Sequence, residues 1–194
     1  MNRVAMIVPA AGLSSRYPPN KLLIEIESVP AIVRTLTLYH DLNVDLFTVV
    51  GHQSTEIRGT VEKAGLTGIL FVENPEYASG MASSMKAGLV AAGDAYDYYG
   101  ISLADKPFIQ QSTVRMLLTV LAEKTPLILA PSYESHAGHP IFFHRSCLDE
   151  LLEAQGETGG RDVREMHRDQ SELIAVKDEG VVLDLDAYLG RNRG

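Results

Sequence analysis

Three features of this sequence predict an α/β fold: a doubly wound, mostly parallel sheet held between two helical layers. Short apolar runs bounded by turn residues recur along the chain, and segments with helical spacing separate them. Polar loops stand at the carboxyl ends of three of those runs. Continuous apolar runs mark strands buried on both faces, and helices between them act as crossovers that keep neighbouring strands parallel.

The elements follow in order. Val4–Val8 is the first buried strand, and Leu22–Ile26 is a short extended segment broken by Glu25. Val29-Pro30 opens a helix from Ala31 to about His40, with Pro acceptable where the first turn has no amide to satisfy. Leu46–Val50 repeats the buried-strand pattern, Thr55–Lys63 is helical and closed by Gly65, and Ile69–Val72 is a third strand. The loop Glu73–Tyr77 leads to Ser79-Gly80-Met81-Ala82-Ser83-Ser84, and a helix runs over Met85–Ala92. Tyr98–Leu103 is a fourth strand carrying Ala104-Asp105-Lys106-Pro107 at its end. Ser112 or Thr113 caps a helix to about Glu123. Leu127–Ala130 and Pro140–Phe143 are short strands, Arg145–Ala154 is helical, and Val181–Leu185 reads as the last strand. No repeat or linker divides the chain, so residues 1–194 are expected to form one domain.

Composition narrows the function classes. The net charge is −8 and no basic tract interrupts it, which argues against nucleic acid held through its phosphates. Cys147 is the one cysteine, which rules out a disulfide framework and a zinc site built from cysteines, and points to a reducing, cytoplasmic setting. The N-terminal apolar run is too short to span a membrane and enters a glycine turn rather than a cleavage pattern, so the expectation is a protein without membrane or targeting segment.

Three loops carry the candidate chemistry. Pro9-Ala10-Ala11-Gly12-Leu13-Ser14-Ser15-Arg16 is a small-residue turn followed by Lys21. It reads as a tight turn with two solvated cations, or as a cradle in which amides approach a triphosphate and Arg16 and Lys21 neutralise it. It matches neither the dinucleotide fingerprint nor the P-loop. Asp105, at a strand end, can cap the segment that follows or hold Mg²⁺ through its carboxylate. Gly80–Ser84 can be a helix entry or a contact surface for a nucleobase and ribose. His136, His139 and His144 lack the spacing of a helical zinc pair and read as surface and loop histidines, while Cys147 beside Leu148 and Leu151 reads as core.

Taken together the motifs resemble the MobA-like nucleotidyltransferases over nearly the whole chain, in order. Pro9–Arg16 with Lys21-Leu22-Leu23 resembles the family's opening signature, Gly80–Leu89 its base-side loop and Leu103–Pro107 its metal-binding aspartate motif. Gly138-His139-Pro140-Ile141-Phe142-Phe143 and Gly156-Glu157-Thr158-Gly159-Gly160-Arg161 resemble its two later motifs. The Ala-Ala-Gly opening and the Gly-His-Pro segment are most similar to the molybdenum cofactor cytidylyltransferase branch.

The resemblance implies a Rossmann-like fold and transfer of the nucleoside monophosphate of CTP to a phosphorylated molybdenum-pterin acceptor, with release of pyrophosphate. By the same implication Ala10, Ala11, Gly12 and Leu13 offer the nucleotide backbone, and Arg16 and Lys21 bind its phosphates. Gly80, Met81, Ala82 and Ser83 line the base and ribose, and Asp105 holds Mg²⁺ and is catalytic together with Lys21 and Arg16. His139, Gly159 and Arg161 face the acceptor, and a client molybdoenzyme joins the partners. Three departures stand out: Tyr17-Pro18-Pro19 replaces the usual Met-Gly pair, Lys106 replaces the usual Gln, and Asp184-Leu185-Asp186 lacks the usual continuation, which leaves a second metal carboxylate unassigned. A related enzyme using GTP or another phosphorylated acceptor, and a non-catalytic pterin-handling accessory protein, are the alternatives.

Overall fold

In the computed structural model, which describes residues 2–14, 20–156 and 160–191, the first apolar run becomes β1 (Val4–Pro9), buried up to its last residue. Its side chains alternate between two cores, which is what a strand sandwiched by helices requires. Val4, Met6 and Val8 face one cluster, Ala5 and Ile7 the other.

The chain continues through a two-stranded antiparallel ribbon, β2 (Glu25–Ile26) and β3 (Val29–Pro30), into α1 (Ala31–His40). Then come β4 (Asp45–Val50), α2 (Ser54–Lys63), β5 (Ile69–Glu73), α3 (Met81–Ala92), β6 (Tyr98–Ile101) and α4 (Gln111–Lys124). The remainder is β7 (Ile128–Tyr133), β8 (His136–Ala137), β9 (Ile141–His144), α5 (Leu148–Glu153), α6 (Arg161–Met166), β10 (Ser171–Ala175) and α7 (Leu185–Arg191). Among the described residues the main sheet has the order β10-β7-β9-β6-β1-β4-β5, with β8 paired to β7. Strands β4, β1 and β6 are mutually parallel, as are β4 with β5 and β10 with β7; β9 runs antiparallel to both its neighbours. Residues of α1, α2 and α4 cover one face (Leu36, Val61, Leu117), and residues of α3, α5 and α6 cover the other (Met85, Leu151, Val163). This is the expected three-layer α/β arrangement.

Helix α3 lies unusually close to the sheet. A Cβ added at Gly88 would stand 2.4 Å from Ile7 Cγ2 and 3.0 Å from Val49 Cγ2, so only glycine allows this approach. That contact sets the start of α3 beside the end of β1.

Four expectations need correction. Leu22–Ile26 is not one extended segment: Lys21–Leu23 is a 3₁₀ turn, capped by Asn20 Oδ1 accepting from Leu22 N at 3.0 Å, and only Glu25–Ile26 is strand. Helix α3 starts at Met81, so residues 81–84 are its first turn rather than a loop. Helix α4 takes its cap from outside its own neighbourhood: Asp178 Oδ2 accepts from Gln110 N at 2.9 Å and Thr113 Oγ1 at 2.7 Å. Finally, the last strand is β10, while Val181–Leu185 spans the end of a 3₁₀ turn (Glu179–Val181) and the start of α7. An apolar segment can be buried by wrapping over a sheet as well as by joining it.

Candidate active site

The ends of β1 and β6 and the start of α3 enclose a cavity of about 400 Å³, lined by residues 9–14, Lys21, Tyr77, Met81, Asp105 and Asp186 among others. That is within the usual size range for a small-molecule site. Each wall has a local cause. Ala10 N donates to Val49 O at 2.7 Å, which extends the β1–β4 pairing as far as the small-residue turn. Ala10 and Ala11 are buried, and a Cβ at Gly12 would meet no atom within 4 Å, so the turn opens on free space. Lys21 projects from the capped 3₁₀ turn, which holds its backbone still.

On the β6 side, Ser102 N donates to Ile7 O and Ala104 N to Pro9 O, carrying the chain up beside β1 and placing Asp105 opposite Lys21. Lys21 Nζ stands 2.7 Å from Asp105 Oδ2 and 3.2 Å from Asp186 Oδ2, with all three side chains about four-fifths buried. Burial alone would lower the Lys21 pKa, but the two carboxylates outweigh it and hold the ammonium above its ordinary value. Asp105 Oδ1 is buried with no hydrogen-bond partner among the described residues.

Asp186 reaches the site through a chain of anchors. Leu185 N donates to Asp105 O at 2.9 Å, Lys106 Nζ donates to Val182 O at 2.7 Å, and His139 N donates to Val181 O at 2.9 Å. Asp184 Oδ1 accepts from Ala187 N, capping α7, and Leu185 packs with Ile26 and Ala31. Gly180 lets this segment pass: a Cβ there would lie 2.1 Å from Phe108 O. Gly180→Ala is therefore expected to destabilise the fold by about 3 kcal/mol, read as a lowered midpoint in urea unfolding.

Burial lowers the pKa of Lys106 despite the neighbouring Asp105 and Asp184. Lys106→Met leaves the Val182 carbonyl without its donor, at an expected cost of about 1–3 kcal/mol, and loosens Asp186. Lys106→Gln, which keeps a donor, is expected to lose less stability and less turnover. Thermal unfolding and steady-state rates of the two variants check this.

The third wall is the start of α3. Gly80 has φ 112°, a conformation open to glycine, and both Gly80 and Met81 line the cavity, where a helix N-terminus favours an anion. Ala82 and Ser83 are not lining residues. Ala82 N donates to Gly156 O at 2.9 Å, and Ser83 Oγ accepts from Asn74 Nδ2 at 2.9 Å while lying 2.8 Å from Gly80 O. Ser84 lines the cavity instead, as does Tyr77. Ser84 belongs to the Gly80–Ser84 segment singled out in the sequence, whereas Tyr77, in the turn that follows β5, did not stand out there.

The three acceptor-side residues are less convergent. His139 is half-buried and its Nδ1 donates to Ile101 O at 3.2 Å, but it does not line the cavity. Arg161 begins α6 and is exposed. Arg16 and Gly159 lie outside the described residues.

Burial, with the Lys106 charge, pushes the His139 pKa down to about 4. An unfolded histidine titrates near 6.5, so between about 6.5 and 4 the unfolded chain binds the extra proton and stability falls as pH drops. His139→Gln is expected to flatten that decline in urea unfolding measured across the same range. His136 is exposed and His144 packs edge-on to Tyr98. Cys147 is 1% exposed in the core beside Leu151.

Comparison with known proteins places this arrangement. The chain is 23% identical over 186 residues to the molybdenum cofactor cytidylyltransferase of Escherichia coli (strain K12), covering 96% of this chain and 92% of the other. It superposes on Rv0371c of Mycobacterium tuberculosis H37Rv with a TM-score of 0.82 at 24% identity, covering 99% of this chain and 96% of the other. A second structure of Rv0371c, in complex with manganese, superposes at 0.73 and 21% identity over 90% of this chain and 88% of that one. A nucleotidyl transferase from Methanothermobacter gives 0.78 at 19% identity, over 100% of this chain and 97% of the other. No described helix is long and apolar enough to cross a membrane. Residues 6–172, most of the chain, match the MobA-like NTP transferase domain, and the chain therefore belongs to that family of nucleotidyltransferases.

Proposed function

We propose that this protein joins the nucleoside monophosphate of CTP to the phosphate of a molybdenum-pterin cofactor and releases pyrophosphate. The observation that carries the reading is one cation between two carboxylates in the lining of a cavity walled by the ends of β1 and β6 and the start of α3. The resemblance to the Escherichia coli cytidylyltransferase supports the choice of CTP and pterin.

Asp105 and Asp186 would hold a divalent ion, Mg²⁺ by preference. Two oxygen donors close together, one with a buried and unpartnered atom, fit a hard cation that takes its other ligands from phosphates. Bound there, the ion would neutralise charge on the phosphate oxygens. A manganese complex of Rv0371c is in keeping with such a site.

The chain's own residues do the rest. The amides of Ala10–Leu13 and the start of α3 receive the anion, and Lys21 neutralises the phosphate on which charge builds. Arg16 adds a second cation on the phosphates, and Met81 meets the base and ribose. By the family resemblance, His139, Gly159 and Arg161 would serve the acceptor. The acceptor phosphate is already ionised, so in-line attack on the α-phosphorus needs alignment and charge neutralisation rather than a protein nucleophile.

The test is pyrophosphate release with CTP, GTP, ATP and UTP, each with molybdenum-loaded pterin and with other phosphorylated acceptors. Fastest release from CTP and the pterin is the expected result. Preference for another nucleotide or acceptor would overturn the substrate assignment. Retention of bound pterin with no release from any nucleotide would make the protein an accessory carrier.

A further inference from the structure

Outside the cavity, Cys147, Glu150 and His167 bring a thiol, a carboxylate and an imidazole together, with one donor atom of each within 4.8 Å of the others. None of the three lines the nucleotide cavity. The grouping follows from local structure. Cys147 ends the 3₁₀ turn Arg145–Cys147, and Glu150 follows three residues later in α5, one helical turn on and so on the same face. His167 closes α6, its amide donating to Val163 O, and its Nε2 lies 2.6 Å from Glu150 Oε2. The thiol forms a buried floor beside Phe143, Leu151 and Val163. The imidazole and carboxylate side chains remain 24% and 40% exposed, which opens the group to solvent on one side.

We propose that Cys147, Glu150 and His167 are a second metal site, selective for a borderline-soft divalent ion of the zinc class. One cysteine cannot build a site of several thiolates, but a mixed set needs only one. Thiolate, imidazole and carboxylate are three of the usual zinc donors, and three protein ligands leave a fourth position for water. The thiolate also sets the site apart from the Asp105–Asp186 pair, because soft donors select zinc-class ions where carboxylates alone suit magnesium. An ordinary ion pair between Glu150 and His167 would be weak at this exposure. An ion here ties α5 to the end of α6, the two helices that flank Gly156 in the chain. Gly156 O accepts from Ala82 N, so the clip braces the first turn of α3 at the nucleotide cavity.

The test uses the full chain, stripped with a chelator and titrated with cobalt(II) as the probe in millimolar Mg²⁺. The expected result is a near-ultraviolet thiolate-to-cobalt absorption that saturates at one ion per chain and is displaced by zinc. It should vanish in Cys147→Ser and persist in Asp105→Asn. His167→Ala and Glu150→Gln should weaken cobalt binding by at least about 10–100-fold, since losing a ligand costs no less than losing a ligand's supporting partner. Circular dichroism checks folding, and if Cys147→Ser does not fold, the two surface variants decide the question. Absence of the absorption, or its retention at full strength in His167→Ala, overturns the proposal.

Discussion

Lys21→Met is expected to lower turnover for nucleotidyl transfer by about 10²–10³, the scale for losing one preorganised electrostatic stabiliser. Two losses combine. The phosphates lose a cation, and Asp105 and Asp186 lose the ammonium that lies 2.7 and 3.2 Å from them. The facing carboxylates are then left to repel one another with no cation between them. Lys21→Arg is not expected to restore the rate, because a planar guanidinium cannot take the place of a compact ammonium between two carboxylates. Pyrophosphate release under saturating nucleotide measures the effect. A Lys21→Met rate within tenfold of the unmodified protein would remove Lys21 from its assigned role.

Asp105→Asn is expected to lower turnover by a similar factor, about 10²–10³, with a second signature that Lys21→Met lacks. The amide keeps the shape of the side chain and the backbone anchor from Leu185 N to Asp105 O, so folding should be preserved. What disappears is half of the carboxylate pair. The Mg²⁺ concentration for half-maximal activity should rise, and the rate at saturating Mg²⁺ should remain depressed. Asp186→Asn should show the same shift, since its carboxylate faces the same ammonium. Mg²⁺ titrations of both variants check this, and unchanged midpoints would contradict the assigned ion site.

Much of the site was legible because strand-end loops of an α/β sheet gather on one rim. Val4–Val8 and Tyr98–Leu103 announced two buried strands, and the residues just beyond them, Ala10–Leu13 and Asp105, do line one cavity. Ser83 was misleading for a physical reason. A hydroxyl in the first turn of a helix can serve the helix entry, and here it lies against Gly80 O and Asn74. Val181–Leu185 was misleading too, since hydrophobicity reports burial without saying what does the burying. The strand that fills the sheet edge, β10, has the unremarkable sequence Ser-Glu-Leu-Ile-Ala because an edge strand is half exposed.

By itself the sequence determined the layered fold, through its apolar runs, and it marked the small-residue first loop, Lys21 and Asp105 as candidates at strand ends, with their roles coming from the family resemblance. Tertiary structure alone decided that Asp186 meets Lys21 beside Asp105, that Asp178 caps α4, and that Cys147, Glu150 and His167 meet. Those contacts join residues with no local pattern in common: Asp186 is far along the chain from Lys21, and its position is set by Gly180, Lys106 and Leu185 packing against distant backbone. Spacing along the chain records hydrophobic period and turn chemistry, whereas the closeness of remote side chains is set by how the packed layers bring their ends together.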